Sequence, residues 1–248
     1  MKIGAESVFE TILGIVNHVR TQQLDAIREA AIRLADCLLQ GGIIHVFGAG
    51  HSRAFGMEMC GRAGGLAPMK LLGLEDIALL EGTRGINLVE LERDPETAHR
   101  LLRLHEVLPE DAFIIVSNSG RNGAPVELAL ECKKRGIPVI AVTSLAHSVR
   151  TDSRHPSGKK LYEIADIVID NGCPYGDVLL DIPHLHEKTG SASSVVGALI
   201  AQSLTVEIIA RLIEAGHTPP VFISANVDGS DEHNRKIVEQ YAHRKITY

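Results

Sequence analysis

The 248-residue sequence predicts a three-layer αβα protein built on a parallel sheet, and three observations carry that expectation. Short β-branched runs alternate with longer stretches of helical period. Two of those runs end in a glycine turn that opens directly into a helix. A hydrophobic content of 45% supplies one large core without disulfides or metals. Strands joined through helices are parallel, because a crossover of that length returns the chain to the same end of the sheet and lays helices over both faces.

Residues 6–40 place Val8, Ile12, Ile15, Val16 and Val19, then Leu24, Ile27, Ala31, Leu34, Ala35 and Leu38, mostly at three- and four-residue steps. That spacing predicts amphipathic helices, which Gly41-Gly42 ends. Ile43-Ile44-His45-Val46-Phe47 reads as a strand, followed by the turn Gly48-Ala49-Gly50-His51-Ser52 and a helix to about Cys60. The same order recurs at residues 112–116, with Ser117-Asn118-Ser119-Gly120-Arg121-Asn122-Gly123 as the turn and a helix from Pro125 to Arg135. Gly136 stops that helix, residues 138–142 form a further strand leading to Thr143-Ser144, and residues 164–169 add another. A long apolar helix is expected over 189–215, closed by Gly216. The tail from Pro219 holds a short apolar piece at 221–224, a polar loop at 226–234 and a last helix.

Composition excludes several partners. A formal charge of −6 gives no global field for nucleic acid or an anionic bilayer, so an anionic ligand has to be held by local geometry. No uninterrupted apolar run approaches the roughly 20 residues of a membrane span. The N-terminus interrupts its apolar residues with Glu6, Glu10 and Thr11 and lacks the pattern of a secretory signal. Cys37, Cys60, Cys132 and Cys173 form no CxxC pair and show no zinc-like spacing, which fits a reduced, cytoplasmic setting.

The chemistry concentrates at strand ends. In open parallel sheets ligands sit beyond the carboxyl ends of the strands, where glycine turns let main-chain N–H groups approach an anion at a helix N-terminus. The first turn lacks the third glycine of a dinucleotide fingerprint, since Arg53 stands in its place, and no GxxxxGK occurs. The second offers Ser117, Ser119 and Asn122 around Gly120 and Gly123, a donor set suited to a phosphate monoester. Ser52 reads equally well as a cap of the following helix, and the Ser and Asn residues as ordinary turn chemistry.

The segments Gly48-Ala49-Gly50-His51-Ser52, Ser117-Asn118-Ser119-Gly120-Arg121-Asn122, Ala141-Val142-Thr143-Ser144 and Ala165-Asp166-Ile167-Val168-Ile169 resemble the sugar isomerase (SIS) phosphosugar-binding domain over residues 31–214. Residues 1–30 then form an N-terminal helical segment, and 215–248 a C-terminal extension ending in a helix. Glu58-Met59-Cys60-Gly61-Arg62 is similar to the helix segment of phosphoheptose isomerases that carries a catalytic glutamate. Gly190-Ser191-Ala192-Ser193 is similar to a segment of N-acetylmuramic acid 6-phosphate etherases. The whole chain, including the tail at 226–234, resembles a group of SIS proteins of about this size. The resemblance implies a five-stranded parallel sheet of flavodoxin-like type, a homodimer or homotetramer with sites near subunit interfaces, and a phosphorylated sugar as ligand. Its phosphate would be held by Ser52, Ser117, Ser119 and Asn122, with Gly48, Gly50, His51, Gly120, Thr143, Ser144 and Ser191 around it. Glu58 follows Ser52 by six residues, about one helical turn less than in phosphoheptose isomerases, and their histidine at the start of the last long helix has no counterpart here.

The expected reaction is aldose–ketose isomerisation, in which a base moves a proton between adjacent carbons and a second group opens the ring. Glu58 or Glu187 is the candidate base, with His184, His186 or His51 as the ring-opening partner. Elimination from an amino-sugar phosphate and phosphosugar sensing without catalysis are the alternatives, although residues 1–40 show no helix-turn-helix or basic patch. His184-Leu185-His186 suggests zinc ligands, but no HExxH accompanies them, and neither a metal nor a cofactor is assigned.

Overall fold

In the computed structural model, which describes residues 4–80 and 87–246, five strands form one all-parallel sheet in the order β2-β1-β3-β4-β5. In chain order the elements are α1 (Ala5–Gln22), α2 (Leu24–Leu39), β1 (Ile44–Gly48), α3 (Arg53–Met59), β2 (Met69–Leu72), α4 (Leu74–Leu80), α5 (Leu88–Arg93) and α6 (Glu96–Leu104). They continue with β3 (Ala112–Val116), α7 (Gly123–Lys134), β4 (Val139–Thr143), α8 (Leu145–Ser148), β5 (Ile167–Asp170), α9 (Ser193–Glu214) and α10 (Ser230–Gln240). Residues 1–3 and 247–248, at the outer ends of the two predicted terminal segments, lie outside the described residues.

The strands are apolar on both faces because helices cover both. Ile44, Val46, Ala112, Ile114, Val116, Ile140, Val142, Ile167 and Ile169 pack into one core with α2, α3 and α9. The intervening Phe47, Phe113, Ile115, Val139 and Ala141 pack into a second with α4 to α7. This period-two division is the signature of a doubly covered sheet. Each fully buried phenylalanine contributes roughly 1.5–3 kcal/mol through its removal from water. By length and composition α9 is apolar enough to cross a membrane, yet its buried side, from Val196 to Leu212, packs into the first core. All four cysteines are free, and burial pushes each thiol up to about 12.

The four strands read from the sequence are β1, β3, β4 and β5, and the fifth, implied by the resemblance, is β2. It is four residues long, follows Pro68 and carries Lys70, so it shows no run that separates it from a loop. β5 starts at Ile167 rather than 164, because residues 161–163 form a 3₁₀ turn and the Asp166 carboxylate accepts the Val139 N–H at 2.8 Å. α9 starts at Ser193 rather than 189: Thr189 exchanges two main-chain hydrogen bonds with Leu180, closing a hairpin at 180–189 before the helix begins.

Candidate functional site

The sheet order reverses direction between β1 and β3. Their register pairs Gly48 with Val116, so both chains leave the sheet at the same level. The chain then turns from β1 into α3 in one helical layer and from β3 into α7 in the other, which opens a crevice between the two turns. Gly48 permits the first turn to fold back on its strand, since a Cβ there would stand 2.5 Å from the Ser52 carbonyl oxygen. Gly120 serves the second at φ +57, where a side chain is strained and a Cβ would meet Ser148 Oγ at 3.2 Å.

A cleft at this point is lined by His51, Ser52 and Phe55 from the β1 side and by Val116, Asn118, Val142 and Asn171 from the neighbouring strand ends. Ser193, Ser194 and Gly197 of α9 close it. The Ser52 side chain makes no cap to α3, and the residue lines the cleft. His51 is exposed beside it, and Gly50 is exposed before them. Ser119 follows Asn118 in the second turn, half-buried and outside the cleft lining, and its carbonyl accepts from Ser148 Oγ at 2.9 Å. Ser117 is buried; its hydroxyl accepts the Gly120 N–H at 3.2 Å and closes the turn.

Asn122, Thr143 and Ser144 stand behind this turn and hold it. Asn122 donates to Glu92 Oε1 at 2.7 Å and accepts from Arg154 at 3.0 Å. Thr143 Oγ1 donates to the Ser117 carbonyl at 2.7 Å, and Ser144 Oγ donates to the Cys173 carbonyl at 2.6 Å while accepting the His147 N–H. Both of the latter residues are fully buried.

The acid–base candidates are dispersed. Glu58 lies near the far end of α3, where Arg62 pairs with its carboxylate and Gln202 Nε2 donates to the same oxygen at 2.8 Å. It does not line the cleft. His184, His186 and Glu187 are exposed on the 180–189 hairpin, with the side chain of His186 99% accessible, and Ser191 is exposed beyond it. Neither His184 nor His186 belongs to a three-residue ligand cluster among the described residues; the one such cluster, on α6 and α7, lies elsewhere.

Arginines gather beside the second turn, with Glu92 among them. Arg121 stands within that turn, with a buried Nε that has no partner among the described residues. The nearby His147 is held below its ordinary value by burial and then by the Arg121 charge. Arg93 and Arg121 both bear on Arg154, so three guanidinium groups gather here in a chain of net negative charge. The N-terminus of α9 is already satisfied: Asp177 accepts from Ala192 N–H at 3.2 Å, Ser193 N–H at 3.0 Å and Ser193 Oγ at 2.6 Å. That carboxylate takes the position an anion would seek at a helix start. Sequence reasoning did not single out Asn118, Asn171 and Ser193, which line the cleft, or Arg121, which stands in the second turn. Asn118 and Arg121 were available inside the turn motif itself, whereas Asn171 and Ser193 reach the cleft only through the fold.

With this geometry established, residues 8–144 match the SIS domain family. Over 236 residues the chain is 39% identical to a UPF0309 protein of Geobacillus kaustophilus, covering 95% of this chain and 93% of that one. Its fold is similar to that of the phosphoheptose isomerase of Neisseria gonorrhoeae, with a TM-score of 0.54 at 17% identity, covering 82% of this chain and 95% of that one. It is also similar to the NanR protein of Vibrio vulnificus solved with ManNAc-6P, with a TM-score of 0.51 at 15% identity over 96% of this chain and 68% of that one.

Proposed function

The chain belongs to the SIS-domain family, and from that premise we propose that it binds a phosphorylated sugar in the β1/β3 cleft and interconverts its aldose and ketose forms. One observation carries the reading: Ser52 and Asn118, from the two glycine turns, line a single cleft at the switch point of the sheet. In this reading the ester sits between the turns. Ser52 and Asn118 face it from either side with Ser119 at the rim, Ser117 and Gly120 shape the second turn, Asn122, Thr143 and Ser144 hold it, and Arg121 supplies the charge. The sugar extends toward His51 at the mouth.

Isomerisation removes the proton from the carbon beside the carbonyl, passes charge to the carbonyl oxygen as an enediol forms, and returns a proton to the former carbonyl carbon. His51 is the ring-opening partner best placed for this. Glu58 is engaged by Arg62 and Gln202, which leaves Glu187 as the candidate base, with His184 and His186 beside it on the exposed hairpin. A homodimer or homotetramer in the cytoplasm, with the hairpin meeting a neighbouring subunit, is part of the proposal; exposed Phe9 and Leu13 on α1 support such an assembly. The engagement of Glu58 also favours one alternative, a phosphosugar sensor without turnover.

A thermal-shift panel of sugar phosphates against the matching free sugars tests binding, because a ligand selective for the folded state raises its melting temperature. Phosphorylated compounds are expected to shift melting and free sugars not to. Equal shifts for both would remove the phosphate site. Incubation of the binding compound followed by NMR analysis of products then separates isomerisation from elimination and from sensing.

A further inference from the structure

On the layer that covers the second core, Glu127 and Glu131 stand one helical turn apart on α7, and His99 reaches them from α6. All three are half-buried, and one ligand atom from each can be chosen so that all lie within 4.8 Å of one another. His99 Nε2 is 3.1 Å from Glu127 Oε1. Two donors on one tetrahedral zinc, each at about 2.0–2.1 Å, stand roughly 3.3 Å apart, so this separation suits a shared ion as well as a hydrogen bond.

The second oxygen of Glu127 is committed to a different partner. His155, 8% exposed, presents Nε2 to Glu127 Oε2 at 2.7 Å. The Ser157 main-chain N–H donates to His155 Nδ1 at 3.1 Å, which places the neutral ring's proton on Nε2 and directs it at the carboxylate. His155 thus fixes the glutamate and leaves Oε1 facing His99, an outer hydrogen bond of the kind that orients ligating carboxylates. Glu131 is paired with Lys134 Nζ at 2.6 Å and more loosely with Arg135 Nη2 at 3.9 Å, and both cationic side chains are exposed and free to swing aside.

We propose that His99 Nε2, Glu127 Oε1 and a carboxylate oxygen of Glu131 bind one divalent cation of the zinc class, with His155 as the positioning residue. One imidazole nitrogen and two carboxylate oxygens form a mixed donor set that a borderline cation takes in preference to magnesium, which retains its water and seeks oxygen alone. The ion would fasten α6 to α7 and to the segment around His155. The neighbouring Arg154 donates its side chain to Asn122 and its N–H to the Arg121 carbonyl at 2.8 Å, so the fastened segment buttresses the β3 turn.

The test is calorimetric titration of the full, chelator-stripped and tag-free chain with Zn²⁺, with Mg²⁺ as the hard-cation comparison. One Zn²⁺ per chain is expected, with a raised melting temperature and no comparable effect of Mg²⁺. His99→Ala and Glu131→Gln should each weaken Zn²⁺ binding by about tenfold or more, whereas His186→Asn should leave it unchanged. Metal-free melting curves establish that each variant is folded, and either folded variant suffices. An absence of saturable Zn²⁺ binding, or binding that survives both substitutions, would overturn the site and leave an ion-pair cluster joining two helices.

Discussion

Replacing Ser52 by alanine removes a hydroxyl that makes no cap to α3 and lines the cleft. The unliganded protein should keep its stability within about 0.5 kcal/mol, the usual range for a change that breaks no native bond. The loss of a hydrogen bond to a charged ester should cost about 1.5–3 kcal/mol of binding, measured by calorimetric titration with the sugar phosphate that shifts melting. Thr143→Val makes the opposite test. Thr143 Oγ1 is fully buried, donates to the Ser117 carbonyl and meets Ser148 Oγ at 2.9 Å, so its loss should destabilise the unliganded fold by about 1–3 kcal/mol in urea. If Ser52→Ala unfolds the protein while Thr143→Val does nothing, the division between ligand-facing and turn-holding groups is reversed. These two hydroxyls look alike in sequence, each beside a strand end. Only the packing tells which is spent on the fold.

At the level of elements, strands with both faces covered were legible because they read as unbroken apolar runs, and the glycine turns were legible because Gly48 and Gly120 sit where a Cβ would clash or strain. β2 was not legible from its residues, being an edge strand of four. The start of α9 was hidden for another reason. Its cap, Asp177, stands well upstream at φ 55 and reaches Ala192 and Ser193 only after the 180–189 hairpin has closed. Asp177→Ala should fray that helix start and cost about 1–2 kcal/mol, read as a lower urea midpoint and as faster amide exchange confined to the first turn of α9. A loss spread evenly over the sheet would show that Asp177 acts otherwise. The His99, Glu127, Glu131 and His155 group was likewise invisible, since only Glu127 and Glu131 share a local spacing and the histidines arrive from other segments.

Across the whole molecule, the tail is tied to the base of the sheet by one buried charge. Arg244 donates to Asp111 Oδ2 at 2.6 Å, His45 Nε2 meets the same oxygen at 2.9 Å, and the Leu108 and Ile43 N–H groups complete the carboxylate. Burial alone would raise the Asp111 pKa, but the bonds from His45, Arg244 and the two amides outweigh it and hold the carboxyl well below its usual range. Burial holds His45 below its ordinary value even against the pull of Asp111. The unfolded chain therefore takes up a proton on His45 near pH 6.5 while the folded one does not, so that contribution is present above about pH 6.5 and lost below it. The Asp111 contribution is present above about pH 4 and is lost as pH falls further. Urea unfolding at pH 8, 6, 5 and 4 should show stability falling in that order. Arg244→Ala should cost about 3–5 kcal/mol by taking its full positive charge from the buried carboxylate; a loss below about 1 kcal/mol would mean that the tail is not anchored there. The most direct test of the whole account is a crystal structure with a saturating sugar phosphate. Phosphorus is expected between the β1 and β3 turns, within hydrogen-bond reach of Ser52 and of the 118–121 segment. Phosphorus at the 180–189 hairpin, or on the far side of the sheet, would contradict it.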